Sequence, residues 1–378
     1  MISIRVQERT SIDDVLAWSL ASCDVFRVSR RSSFEPGVQG LALSTLASLR
    51  PGRRTPILDC EFPEPKDLAE LESTLLSSAF GFAFVRIASQ IHFLGSVSSE
   101  GFKPLLAALY KTRNGILGSG SSQAIVCPDP VFSLPPALAQ AASMQPVDSF
   151  PPPSAFTFLL NTIVESMGFR RLLGSNQESS IVAFVYEALR NSLEHGLAVD
   201  AARRARSTRA LIIEKIVVQK DGLANRRLSA ELKQYLERIV ESNKSGLGLG
   251  VICLTVADQG DGIQSTLPSD PEQPEETPDE RLARAFLPGE SRKPVGVVQR
   301  GLGLPSVISA SHNLQALMRV SSGNLCASQD YSIGEDKYPK LEFNAINKLP
   351  DSFVSGTCIS IFLPEFSVDL DQRSLFPR

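Results

Sequence analysis

The sequence predicts a mixed α+β protein. A small α/β or α+β domain is expected at residues 1–127, a proline-rich linker at 128–153, and a two-layer α/β sandwich at 154–378. Three observations carry this reading. Pro128, Pro130, Pro135, Pro136, Pro146, Pro151, Pro152 and Pro153 crowd one stretch, at a density that neither a helix nor a central strand tolerates. On both sides of it, short apolar runs alternate with stretches of helical Leu and Ala spacing. The chain has 378 residues, 43% of them hydrophobic and 21% charged, which is enough to bury a core in each part.

Before the linker, residues 55–62, 81–87 and 90–95 read as short apolar strands, and residues 66–78 and 102–113 as helices. Residues 121–127 read as a closing strand. This part shows no nucleotide loop and no metal-ligand spacing, and His92 stands alone on a strand pattern, as a core or edge histidine would. Residues 137–144 fit a short helix within the linker. Beyond it, residues 156–167 and 179–197 are helical, 209–219 is a strand, 228–242 an amphipathic helix and 250–258 a strongly apolar strand. A polar, proline-rich loop follows. Residues 305–313 form a helix with Pro305 in its first turn, where the missing N–H costs nothing. Residues 314–321 and 356–363 are strands. Helices interleaved with mostly antiparallel strands imply a two-layer sandwich.

Bulk properties exclude several classes. A net charge of −3 gives no basic field for nucleic acid. The first ten residues show no signal-peptide pattern, and no apolar run reaches the length of a membrane span. Six cysteines are scattered without a CxxC pair, as buried thiols are. The expectation is a cytoplasmic protein without a membrane or nucleic-acid partner. The basic run Arg203, Arg204, Arg206 and Arg209 reads as a solvated helix end.

Chemistry concentrates in four later segments. Glu187, Asn191 and His195 fall at i, i+4 and i+8, so one helical face carries an acid, an amide and an imidazole. The carboxylate could orient or deprotonate water, and the amide oxygen could bind a hard cation such as Mg²⁺. The same spacing also fits a solvated polar stripe. Next, Asp258-Gln259-Gly260-Asp261-Gly262 follows the apolar strand, placing a carboxylate at a strand end where it could accept from an exocyclic amine. Its glycines let a flat ring approach the backbone. A calcium loop is excluded, because the position that needs a glutamate is Ser269. Third, Arg300-Gly301-Leu302-Gly303-Leu304 leads into a helix, and backbone N–H groups at such a terminus suit phosphates. A near copy at residues 246–250 precedes a strand and reads as a turn. Neither run ends as a Walker loop does. Last, Gly356-Thr357 opens the final strand.

Taken in this order, the four segments resemble the GHKL ATPase superfamily, which includes gyrase-type topoisomerases, heat-shock chaperones, sensor histidine kinases and mismatch-repair ATPases. The resemblance covers roughly residues 155–365 and leaves the first 150 residues unassigned. It implies a Bergerat-type ATP-binding fold with ATP and Mg²⁺ as cofactors. It further implies that Asn191 holds the metal, that Glu187 activates water, and that His195 lies near the phosphates. Asp258 would recognise adenine with Gly260 and Gly262 beside the ring. Arg300, Gly301, Gly303 and Leu304 would form the phosphate box, and Thr357 would support Asp258 through water. Two positions depart from the pattern: Ser192, where alanine is common, and Gln299, where a first glycine is common.

Residues 264–300 occupy the place of the family's ATP lid. Its first half holds Asp270, Glu272, Glu275, Glu276, Asp279 and Glu280 and should be solvated and held off phosphates by charge. The second half, with Arg284, Arg292, Lys293 and Arg300, is expected to face the nucleotide. None of His92, His195 and His312 sits on a helical hairpin before residue 155, which argues against an autophosphorylating sensor kinase. Three expectations remain. The first is a regulatory protein that couples Mg²⁺–ATP to a protein partner met by the N-terminal domain, through slow hydrolysis or partner phosphorylation. The second is an ATPase whose cycle closes a homodimer, and the third is a nucleotide-binding module without catalysis.

Overall fold

A computed structural model describes residues 2–18, 23–46, 57–88, 90–98, 102–128, 137–138, 150–168, 175–196, 198–199, 201, 207–219, 222–223, 228–242, 248–267, 275–288, 303–334, 336, 341–345 and 356–365. The fold is mixed α and β, built on two sheets.

The first sheet runs β1 (Ile2–Arg5), β2 (Cys23–Val28), β3 (Ile57–Cys60), β4 (Gln90–Phe93), β5 (Ser96–Ser98) in spatial order. The first four strands are parallel, and β5 folds back antiparallel on β4. Parallel neighbours need crossovers. These are supplied by α1 (Ile12–Leu16), α2 (Val38–Thr45), and the pair α3 (Leu68–Thr74) and α4 (Ala79–Ile87). Residues 81–87, expected as a strand, belong to α4. Ser78 caps that helix by accepting from the Gly81 N–H, and the run is buried on nearly every side. An apolar run buried all round carries no period that separates strand from helix.

The second sheet has eight strands, all antiparallel, in the order β12 (Asn344–Ala345), β11 (Leu325–Asp330), β10 (Leu317–Ser322), β13 (Thr357–Pro364), β9 (Leu249–Asp258), β8 (Thr208–Val218), β7 (Ser122–Pro128), β6 (Ile116–Ser119). The β6–β7 hairpin follows α5 (Phe102–Thr112) and pairs with β8, so this sheet draws on residues from both sides of the proline-rich segment. Within that segment, residues 139–144 of the expected helix lie outside the described residues.

One face of the large sheet is covered by α6 (Pro153–Ser166), α7 (Ser175–His195) and α11 (Gly303–Asn313). Phe156, Phe184, Val185, Leu189 and Val307 pack there on Leu211, Leu254, Val256 and Ile359. The other face is covered as well. Over β8 and β9 lies α8 (Ala230–Ser242), with Leu232, Tyr235 and Leu236 against Val251 and Phe362. The first 98 residues cover the rest, with α2 and α4 on the Ala210, Ile212, Ala257 and Cys358 side. The expected two-layer sandwich therefore gains a third layer. This explains the near-continuous apolar run of β9, which is buried at every position except Gly250: a strand covered on both faces has no polar side to alternate with. Between β9 and α11 in the chain come two short helices, α9 (Ile263–Thr266) and α10 (Pro278–Arg284). Among the described residues, no single helix is long and apolar enough to cross a membrane.

Candidate functional site

A cavity of about 850 Å³ opens between α7, the ends of β9 and β13, and the start of α11. Helix α7 faces it because its buried stripe (Ile181, Phe184, Val185, Ala188, Leu189) points at the sheet, leaving Ala183, Tyr186, Glu187, Arg190, Asn191, Glu194 and His195 on the cavity side. The Glu187–Asn191–His195 face predicted from spacing is therefore one wall. The opposite wall carries Asp258, Gly262, Thr357 and Ile359, and Gly303 and Leu304 close one end.

Asp258 is 4% exposed at the last position of β9. Its Oδ1 accepts the Gly260 N–H at 2.9 Å and the Thr357 N–H at 3.2 Å, so two backbone donors fix the carboxylate. The resemblance implied support from Thr357 through water; the structure adds a direct bond from the Thr357 backbone, while its hydroxyl stands 3.5 Å from Ser322 Oγ. Gly260 is buried behind the wall, in backbone contact with Gly196, which ends α7. A Cβ on Gly260 would stand 2.5 Å from the Gly196 carbonyl oxygen, and one on Gly196 would stand 2.7 Å from Asp258 Oδ2. Gly196 is a site residue that the pattern of charged and polar types missed. The glycine directly after a polar helical stripe was the available signal.

At the other end, Gly303 opens α11 against Asn191. A Cβ on Gly303 would lie 2.8 Å from Asn191 Nδ2 and 2.9 Å from Oδ1. The Asn191 Nδ2 is buried and has no hydrogen-bond partner among the described residues. Its amide oxygen is the atom type that a hard cation takes. Arg300 and Gly301 lie outside the described residues, as do Arg292, Lys293 and Gln299.

Charge along the walls is uneven. Glu178, Glu187, Glu194 and Asp258 line the cavity together with Arg190. Arg190 Nε donates to Glu194 Oε1 at 2.8 Å, and this bond raises the guanidinium pKa further. His195 Nε2 lies 3.7 Å from Glu194 Oε2. A wall with this excess of carboxylates favours a cation over an anion. Asn191 could offer one oxygen donor, which is compatible with Mg²⁺, since that ion takes few protein ligands and fills its shell with phosphate and water. Among the described residues, no cluster of three or more His, Cys, Asp and Glu side chains forms a closed metal site.

The region expected as a lid contributes Thr266, Leu267 and Ala285 to the cavity, beside Ile263. Glu275, Asp279 and Glu280 are exposed, as expected, and the charge expectation is corrected at Glu276 and Arg284. Glu276, from the half expected to be solvated, is buried; its Oε1 accepts from Arg284 Nε at 2.6 Å and its Oε2 from Arg284 Nη2 at 3.0 Å. Arg281 joins at 3.3 Å. A bidentate fork satisfies carboxylate and guanidinium together, so Arg284 is held inside the segment rather than turned to the cavity. His92 lies on β4 and His312 in the last turn of α11, and neither lines the cavity.

No protein-family model matches the chain, and searches of curated proteins and of solved structures found no match.

Proposed function

We propose that this protein binds Mg²⁺–ATP in the cavity between α7 and α11 and couples it to a protein partner through its N-terminal unit, by slow hydrolysis or by phosphorylating that partner. The observation that carries the reading is the arrangement of Asp258: a buried carboxylate fixed by two backbone donors at one end of a cavity whose other end joins Asn191 to the Gly303 helix start. The volume suits the class, since ligand pockets span roughly 300–1,000 Å³. Base recognition at Asp258, cation binding at Asn191 and phosphate contact at Gly303 and Leu304 follow in that order along the cavity. Glu187, one turn before Asn191, is the general base if ATP is hydrolysed. The membership implied by the four segments, a GHKL-type ATP-binding domain, is part of this proposal.

Calorimetry with Mg²⁺ and ATP tests it. Wild type binds; Asp258→Asn and Asn191→Ala each lose roughly tenfold to a hundredfold in affinity, the worth of a hydrogen bond to a charged group. Omitting Mg²⁺ weakens binding, because the wall is acidic. A wild-type protein that gives no heat with Mg²⁺–ATP refutes the reading. Radiolabelled ATP then separates the outcomes: free phosphate marks an ATPase, including one that closes a homodimer; a labelled partner marks a kinase; neither marks a binding module.

A further inference from the structure

The residue between Asp258 and Gly260 points away from the cavity. Gln259 is 2% exposed and uses both ends of its amide. Its Oε1 accepts the Thr208 N–H at 2.8 Å, and its Nε2 donates to the Leu43 carbonyl at 3.0 Å. Leu43 lies near the end of α2, whose eight residues are all buried. Helix α2 sits directly on the two strands that carry Asp258 and Thr357. At Gly40, a side chain would collide with Thr255 Cγ2 and stand 3.1 Å from Cys358 Sγ. At Gly356, whose φ of +96° excludes most side chains, a Cβ would stand 2.6 Å from the Asp258 carbonyl and 2.7 Å from the Ser44 carbonyl of α2. From α4, Arg86 Nη1 donates to the Ser207 carbonyl and, at 3.0 Å, to Thr208 Oγ1. The N-terminal unit thus grips the strand ends immediately behind the carboxylate, whereas among the described residues the atoms nearest a Cβ on Gly303 are those of Asn191.

We infer that Gln259 is a positioning residue for Asp258, and that through it the N-terminal unit sets the geometry of the base end of the cavity but not of the phosphate end. This rests on the nucleotide reading for its choice of ligands and stands on the contacts of α2 for its mechanism. The turn from Asp258 to Gly260 presents the Gly260 N–H to Oδ1. On the α2 side, that turn is tied through the Gln259 amide, whose partners are 51 and 216 residues away in the chain. Whatever shifts α2 shifts the carboxylate. By linkage, a ligand that fixes the carboxylate also steadies α2.

The test uses the full chain and two variants. Gln259→Met keeps the volume and removes both bonds. Gln259→Glu keeps an acceptor for Thr208 and, above the pKa of the new carboxyl, sets a negative oxygen against the Leu43 carbonyl, so at high pH it opposes the α2 contact. Without ligand, hydrogen exchange of the Gly260 and Thr357 amides should quicken about tenfold in both variants, with the β10–β11 amides unchanged; equal exchange in variants and wild type overturns the inference. With Mg²⁺ present, affinity for ATP should fall about tenfold and the preference for ATP over GTP should shrink, while affinity for inorganic tripolyphosphate stays constant. A parallel fall for all three ligands overturns it too, since general destabilisation moves them together. A wild type that binds no nucleotide sinks the proposed function alone, because the exchange measurement still decides the role of Gln259.

Discussion

Adding one methyl group where α7 meets the Asp258 loop should cost both stability and base recognition. In Gly260→Ala the new Cβ would stand 2.5 Å from the Gly196 carbonyl oxygen, 2.6 Å from its carbon and 2.9 Å from its Cα, against the 3.4 Å at which ordinary contact begins. All three atoms are backbone, so no rotamer relieves the clash, and loop or helix end must retreat by about 1 Å. Overpacking of this kind costs about 1–3 kcal/mol. The same displacement draws the Gly260 N–H away from Asp258 Oδ1, and losing a hydrogen bond to a charged group costs about 1.5–3 kcal/mol, roughly tenfold to a hundredfold in affinity. Urea unfolding followed by tryptophan fluorescence, alongside ATP calorimetry, reads both effects. Gly222→Ala is the control, since its nearest neighbour is Gln219 Cβ at 3.9 Å. Gly196→Ala attacks the same contact from the other side, so the double variant should lose less than the sum of the singles. If Gly260→Ala unfolds at the urea concentration of Gly222→Ala and binds ATP as wild type does, the packing argument is wrong.

Two further perturbations probe features outside the binding walls. Glu276→Ala strands Arg284 and Arg281 without their shared carboxylate, so amides of Leu282 and Arg284 should exchange at least tenfold faster while those of α7 hold; unchanged protection would show that the fork does not hold this helix. Stability should also fall as pH rises from about 4.5 to about 7. Burial raises both Glu35 and Glu214 to about 7, so across that window the folded state holds protons that the unfolded state has released. The Gly37 N–H moderates Glu214, whereas both Glu35 oxygens are buried without a hydrogen-bond partner among the described residues and the charge of the Arg319 guanidinium opposes the rise. Thermal melts of the Glu35→Gln, Glu214→Gln double variant should be flatter over this range, and a slope identical to wild type would refute the assignment.

Much of the site was legible in the sequence because its signals are local. Glu187, Asn191 and His195 share a face through helical geometry alone, and Asp258 is marked by the apolar run that precedes it. Their convergence with Gly303 and Thr357 on one cavity was legible only through resemblance, since no local rule says that the start of α11 meets α7. The reading fails where the deciding partner is remote. Residues 81–87 read as a strand although they form a helix, because burial on nearly every side erased their period. Gln259 carries no local signal of its contacts, because its partners Leu43 and Thr208 lie in other elements. Glu276 sat in an acidic, proline-rich stretch that composition marks as solvated, yet two arginines from the next turn bury it. Helix α2, with the sequence Val-Gln-Gly-Leu-Ala-Leu-Ser-Thr, has too few polar residues to show an amphipathic pattern, which is what a helix wedged between two layers requires.

The β6–β7 hairpin has a practical corollary for anyone cutting this molecule in two. The prolines between residues 128 and 153 invite scission there, but β7 is bonded along β8 from Ser122 to Pro128. A chain beginning at residue 154 would expose β8 as a long edge, buried at nine of its eleven positions in the intact protein, with unsatisfied backbone groups open to pairing with another chain. Such a fragment should precipitate on its own and recover when residues 1–128 are supplied in trans, whereas protease nicking of the intact protein within 129–149 should leave the two pieces associated.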